Sequence, residues 1–392
     1  MDSDRTKCRI HVCVRLRPLI PEDYKLGNVV RSSPERCVHL SLDGQTVKIS
    51  KDAYDVKLYR VDNTFDEAAS QTEVYESSYK KIVIDALNGF NGTGMVYGQT
   101  GSGKSHTIFG SHSEPGLVQL AINDVFKDVR LRIAKDLVAN VFLSFYQLYL
   151  EQAYDLLTTT TNCGKSECPA LSIREDSTKG AFVENLQYVY VDDEKTTMDV
   201  LKLGLRNRKV HSTTYNMSSS RSHAIFQMYL DFEEKDDTEL TSNLIISRQQ
   251  NENIPSRSKK YSVRRRVLTF VDLAGSERVQ THHQAKSKTQ FKESVAINKS
   301  ISALGNCVQA LANMSLHSSD DINEIFTNTN SNSNAVAATQ KRNLHVPFRD
   351  CKLTRLLAEP LGGNSKTCII VNIGPCYYNY EETKSTLKFA RR

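Results

Sequence analysis

The stretch "GMVYGQTGSGKSHTIFG", residues 94–110, decides the fold. Within it, Gly98-Gln99-Thr100-Gly101-Ser102-Gly103-Lys104-Ser105 fits the pattern G-x-x-x-x-G-K-[ST]. Glycines at this density let the backbone curl until successive N–H groups point inward, where they bind phosphate oxygens. In such a loop Lys104 reaches the β- and γ-phosphates of a nucleoside triphosphate, and Ser105 places its hydroxyl on Mg²⁺. A helix beginning behind the loop adds a favourable dipole. The apolar "GMVY" supplies the strand that a strand–loop–helix unit requires. Alone, the pattern also fits a glycine-rich surface turn.

A second segment narrows the choice. "VLTFVDLAGSE", residues 267–277, is an apolar strand ending in Asp272. That carboxylate suits a Walker-B role, holding Mg²⁺ through water. Gly275, three residues on, offers a backbone N–H to a γ-phosphate. Together the two segments point to a nucleoside triphosphatase.

The bulk properties agree. A chain of 392 residues allows two or three domains, or one large α/β domain. Its 39% hydrophobic and 24% charged residues suit a globular core. No apolar run approaches the roughly 18 residues of a membrane helix. The polar start, "MDSDRTKCRI", lacks the apolar region of a signal peptide. Nine cysteines without a C-x-x-C pair predict reduced thiols and a cytosolic setting. His282-His283 lacks a second ligand cluster, so a structural role is preferred there over a metal. The net charge of +6 fits an acidic partner without choosing among nucleic acid, filament and membrane.

Along the chain, strand-like "RIHVCVRL", "VANVFLSFYQLY", "HAIFQMYLDF", "RRVLTFVDLAG" and "KTCIIVNIGP" alternate with helical patterns. Leu117, Leu120, Ala121, Val125 and Val129 form one apolar stripe; Val295, Ile301, Leu304, Val308 and Leu311 form another. This alternation predicts an α/β layered domain with helices on both faces of a sheet. Residues 233–266, running from acidic "EEKDD" to basic "RSKKYSVRRR", read as a solvated insertion with a charged hairpin tip. Residues 315–343, containing "TNTNSNSN", read as a second insertion and a loop.

A third segment brings in a family. "NMSSSRSH", residues 216–223, resembles the switch I of kinesin motor domains; "DLAGSE" resembles their switch II and "YGQTGSGKSHT" their P-loop. "VRLRP" (14–18), "HVPFRDCKLTRLLAEPLGGNSKT" (345–367) and the terminal "ETKSTLKFARR" are similar to three further motifs, in the family's order. The resemblance covers nearly the whole chain outside the two insertions. It implies one α/β P-loop NTPase motor domain over residues 1–392, with a mostly parallel central sheet of about eight strands and helices on both faces. It also implies ATP hydrolysis, with Mg²⁺, coupled to microtubule binding and movement. By that resemblance Arg15, Arg17, Pro18 and His106 surround the adenine side. Ser219 and Ser220 approach the γ-phosphate, Ser220 and Asp272 join Ser105 around Mg²⁺, and Arg221 and Glu277 form a gate between the switches. Tubulin contact falls on Asn298, Lys299, His345, Arg349, Lys352 and Arg355. Basic side chains there are steered toward an acidic filament and screened by salt. The implied location is the cytoplasmic cytoskeleton, with no nucleic-acid or membrane partner, and dimerisation only through segments outside this chain.

The chain departs from the family pattern in places. "SFYQLYLEQ" carries Gln147 for a glutamate and Leu150 for an asparagine, and Ser105 stands where threonine is usual. "VQTHHQAKSKTQF" is about two residues longer than the family's link from switch II to the filament-binding helix. That leaves open an alternative, a microtubule-binding module with weak or uncoupled ATPase. A GTPase without a filament lacks its N-K-x-D motif, since "INKS" continues into Ile301.

Overall fold

The computed structural model describes residues 10–391, apart from 27–28, 31–32, 53, 112, 159–168, 177–179, 215–218, 236–260, 278–287, 328–344 and 363–364. The central sheet is built from β1 (His11–Leu16), β2 (Asn63–Phe65), β3 (Asn91–Tyr97), β4 (Ala139–Tyr149), β5 (Gln152–Asp155), β6 (Val189–Val191), β7 (His223–Lys235), β8 (Tyr261–Asp272) and β9 (Ser365–Ile373). Their spatial order is β5-β4-β7-β8-β3-β9-β1-β2, with β6 paired to β4. The run β8-β3-β9-β1-β2 is parallel throughout. β7, β4 and β5 extend it antiparallel, so the sheet is mixed.

Apolar residues fill successive positions along the inner strands because both faces are covered. Cys13, Val96, Phe145, Phe226, Phe270 and Ile370 face one core. Their neighbours Val14, Met95, Tyr146, Ile225, Val271 and Ile369 face the other, as the two-residue period of a strand dictates. The first core is closed by α1 (Gln71–Ser77), α2 (Tyr79–Leu87), α3 (Lys104–Phe109), α4 (Leu117–Ile133) and α5 (Glu194–Thr214). The second is closed by α6 (Lys288–Thr327), α7 (Lys352–Leu356), α8 (Ala358–Gly362) and α9 (Tyr380–Ala390). Close packing explains a glycine in β3: a Cβ at Gly94 would stand 2.3 Å from the Tyr79 ring on α2.

The predicted α4 stripe is buried at Leu117, Ala121, Val125 and Val129. In α6, Ile301, Leu304 and Val308 are buried, whereas Val295 is 48% exposed. Two boundaries differ from the sequence reading. The insertion placed at 233–266 is entered and left through sheet: β7 and β8 stay paired out to Lys235 and Tyr261. In that ladder acidic Asp231 stands opposite basic Arg265 and is paired to it at 2.6 and 2.7 Å. Cross-strand opposite charges stabilise such pairing; residues 236–260 lie outside the described residues. The tract at 315–343 does not begin as a loop either, because α6 continues to Thr327. Ile322, Ile325 and Phe326 keep a helical spacing there that the polar composition concealed. Residues 328–344 lie outside the described residues.

The β4–β5 hairpin turns through Leu150 and Glu151, with φ of 49° and 59°. Two successive positive φ values define the tight turn that favours asparagine and glycine. Leu150 is 38% exposed, so its side chain gains little there. Leu150→Asn is expected to raise unfolding stability by about 0.5–1 kcal/mol, read as a higher denaturant midpoint at unchanged slope; equal or lower stability would refute the turn assignment.

Candidate nucleotide site and filament face

The glycine-rich loop joins the end of β3 to the start of α3. Gly98, Gly101 and Gly103 have φ of 146°, 79° and 95°, a region that side chains disfavour. A Cβ at Gly98 would also lie 2.2 Å from the Asn372 carbonyl oxygen of β9. Lys104 is buried, and its Nζ donates to the carbonyls of Gly98 and Gln99, both at 2.8 Å. Burial pulls the Lys104 ammonium below its ordinary pKa, opposed by Asp272 and Glu277. Ser102 is buried and donates to the Gln99 carbonyl at 2.8 Å, whereas Thr100, Gly101 and Ser105 face solvent.

Arg15 and Arg17 act as braces beneath this loop. The Arg15 guanidinium turns into the core, donating to Gln71 Oε1 at 2.5 Å, Thr107 Oγ1 at 3.0 Å and the Ala69 carbonyl at 3.2 Å. Its donors are therefore engaged inside the protein. Arg17 donates from Nε to the Gly101 carbonyl at 2.8 Å and pairs through both terminal nitrogens with Asp23. Burial raises Asp23, but Arg17, Tyr378 and the Ile20 N–H outweigh it and hold the carboxyl at about 2. Pro18 and His106 are exposed. Burial and then the Arg15 charge lower the pKa of the His106 ring.

Asp272, at the end of β8, is 1% exposed. Its Oδ2 accepts from Ser105 Oγ and from Arg208 Nη1, each at 2.7 Å. Its Oδ1 is buried with no hydrogen-bond partner among the described residues. Hard oxygen donors of this kind, a hydroxyl beside a carboxylate with a spare buried oxygen, fit Mg²⁺. Arg208, from α5, also donates to the Ser222 carbonyl at 3.1 Å and so ties Asp272 to switch I. No motif flagged it, because α5 reaches the site only through the fold.

Switch I turns through Ser219–Arg221, and the two switches are joined by backbone: Gly275 N–H donates to the Ser220 carbonyl at 2.9 Å. Ser276 N–H donates to the Gly98 carbonyl at 3.1 Å, closing switch II on the loop. The expected Arg221–Glu277 gate is not formed. Glu277 instead accepts from Thr100 N–H at 2.8 Å and Thr100 Oγ1 at 2.5 Å. Arg221 pairs with Glu293 of α6, which is 1% exposed and also accepts from Tyr149 at 2.5 Å. Each charge has a nearer partner: a P-loop amide for the acid, and a buried carboxylate that needs a cation for the base. Gln147, substituting for the family's glutamate, accepts from Ser222 Oγ at 3.2 Å.

His223 links this centre to α6. Its Nδ1 accepts from Ala274 N–H at 3.0 Å, so the ring proton belongs on Nε2, 2.9 Å from Ser300 Oγ. Ser300 in turn donates to the Ile297 carbonyl at 2.8 Å. Ser300 follows Asn298 and Lys299, of which Lys299 is exposed. The motif containing His223 was legible; this connection was not.

His345 and Arg349 are also exposed, and Lys352 and Arg355 lie beside them on the α6–α7 side of the sheet. Arg349 and Arg355 share one acid, donating to Glu175 at 3.1 and 2.9 Å. Lys352 N–H donates to Glu151 at 2.9 Å. Two of the expected filament cations are therefore already paired. The segment linking switch II to α6, 278–287, lies outside the described residues.

Burial first, and then the Arg208 charge, lower His223 from 6.5 to about 3. As pH falls, the unfolded chain takes up this proton before the folded one does. The stabilisation is complete above about pH 6.5 and drains toward pH 3, at up to about 1.4 kcal/mol per pH unit. Denaturant midpoints between pH 7 and 5 should therefore fall more steeply for the native chain than for His223→Asn; parallel curves would show that the ring is not held neutral.

Comparison with known proteins agrees with this geometry. A family model described as the kinesin motor domain matches residues 15–392. The chain is 38% identical over 331 residues to mouse kinesin-like protein KIF18A, covering 84% of this chain and 31% of that protein. It is 33% identical over 392 residues to the Drosophila melanogaster kinesin heavy chain, covering 98% and 32%. Thus the chain spans about a third of the length of these relatives. Among solved structures, a KIF14 dimer with AMP-PNP in complex with a microtubule superposes with a TM-score of 0.78 at 28% identity, covering 98% of this chain and 93% of that one. The structure of a fast kinesin gives 0.73 at 30% identity, covering 97% and 90%. With its glycine loop, both switches and the sheet that aligns them, this chain belongs to the kinesin motor domain family.

Proposed function

We propose that the chain is an ATP-driven microtubule motor domain. The observation that carries this reading is the 2.7 Å contact between Ser105 of the P-loop and Asp272 of switch II, beside the exposed loop residue Gly101. Ser105 and Asp272, with Ser220, would hold Mg²⁺, which when bound supplies charge neutralisation between the β- and γ-phosphates. The amides of Gly101 through Ser105 cradle the phosphates. Lys104 exchanges its contacts with the Gly98 and Gln99 carbonyls for phosphate oxygens.

Phosphoryl transfer needs positioning and electrostatics more than covalent help. A γ-phosphate competes for the Gly275 N–H, now given to Ser220, and for the Thr100 end of the loop, now held by Glu277. Release of Glu277 frees it to meet Arg221, completing the gate around the attacking water with Ser219 and Ser220. Arg221 must then leave Glu293, which loosens switch I from α6. Nucleotide state is thereby transmitted to Asn298 and Lys299, and through the packed α6–α7 side to His345, Arg349, Lys352 and Arg355. Association with an acidic filament through these cations is weakened by salt.

Phosphate release measured with and without microtubules tests this reading. Stimulated turnover is expected, and Lys104→Ala should lower it on the order of a hundredfold or more with the fold retained. Turnover that microtubules leave unchanged would indicate an uncoupled binding module, and a near-normal Lys104→Ala would remove the loop assignment. Arg221→Ala and Glu277→Ala should each slow turnover strongly, with the double variant little worse, because groups acting as one unit are non-additive. Multiplying defects would show that they never pair.

A further inference from the structure

Away from the nucleotide loop, β1 and β9 bring together three soft-metal ligands. In their parallel register His11 lies opposite Cys368, and Cys13 is two residues further along β1 on the same face. One ligand atom from each of His11, Cys13 and Cys368 lies within 4.8 Å of the other two. Both cysteines are fully buried, while His11 is partly exposed and gives a route from solvent. Asp62 Oδ2 stands 3.6 Å from His11 Nδ1, and it is anchored by accepting from Val12 N–H at 2.8 Å. A carboxylate beside the imidazole is the usual means of orienting a metal-bound histidine.

We propose that His11, Cys13 and Cys368 form a binding site for a thiophilic cation, Zn²⁺ being the fitting probe. Two thiolates and an imidazole are a recognised zinc donor set, with a fourth position left for water. Tetrahedral zinc places donors about 3.5–3.8 Å apart, so the three side chains need only close by roughly an ångström. A disulfide is the less suitable product, because the cysteines are diagonal rather than opposite across the strand pair. Binding as thiolates requires loss of thiol protons to solvent, so uptake of the ion releases protons.

The position gives such an ion a structural consequence. Two residues beyond Cys13, Arg15 donates to Thr107 Oγ1 at 3.0 Å; four beyond Cys368, Asn372 donates to the same oxygen at 2.8 Å. Thr107 belongs to α3, the helix that begins at Lys104. An ion bridging β1 and β9 would clip together the two strands that hold the base of the nucleotide loop.

The test uses the full chain, reduced and stripped of metal, titrated with Zn²⁺ against a chromophoric chelator, and separately with Co²⁺. One tight equivalent is expected, with thiolate charge-transfer and tetrahedral d–d absorption in the cobalt form. His11→Gln should weaken binding at least tenfold and Cys368→Ser should abolish it. If Cys368→Ser does not fold, the His11→Gln variant, altered at a partly exposed position, decides alone. Failure to compete with the chelator would overturn the proposal. So would a bound equivalent unaffected by the variants, since that ion would sit on other cysteines or histidines.

Discussion

Parallel pairing of β3 with β8, with Val96 opposite Asp272, is the constraint on which the site depends. It makes two strands end side by side, so the loop after Tyr97 and the carboxylate of Asp272 emerge at one edge. Open α/β sheets place ligands beyond the carboxyl ends of their strands for this reason. β9 runs parallel on the other side of β3 and brings Asn372 under Gly98 and Thr107. The antiparallel β7 begins at the same edge, with Ala224 opposite Asp272, so His223 and the Ser219–Arg221 turn arrive beside that carboxylate. One register thus assembles groups separated by more than 150 residues in sequence.

Two connections run from this edge to α6, and they differ in kind. Arg221–Glu293 is an ion pair with one buried partner, costly to leave unpaired and therefore suited to exchange rather than simple loss. The His223–Ser300 contact joins neutral groups and is fully enclosed. The first can respond to charge arriving at the nucleotide loop. The second keeps switch II and the middle of α6 in fixed relation while that happens. Glu277, held on Thr100, completes a resting arrangement in which each charged switch residue already has a partner.

Those parts of the site that reside in contiguous sequence were legible: the loop from Gly98 to Ser105, Asp272 at a strand end, and the Ser219–Arg221 turn. Their chemistry follows from residue type and local backbone geometry. Arg208, Glu293 and Tyr149 were not legible, because each enters from an element whose approach only the fold determines. The internal partners of Arg15 and Arg17, Gln71, Thr107 and Asp23 among them, were not legible, since the sequence cannot say whether a guanidinium turns inward or outward. The two boundary errors share a cause. Composition marked 233–266 and 315–343 as solvated, but ladder pairing and helical spacing persist wherever a charged side chain finds an opposite charge or apolar residues keep their period.

Glu175 lies on a short strand, Ile173–Asp176, beside the α6–α7 side, and binds Arg349 and Arg355 together. Those guanidiniums are held in a fixed orientation at the cost of part of their long-range field. Orientation governs how long a docked complex survives, whereas the field governs how often partners meet. An acid in this position therefore trades encounter frequency for residence time on any acidic partner.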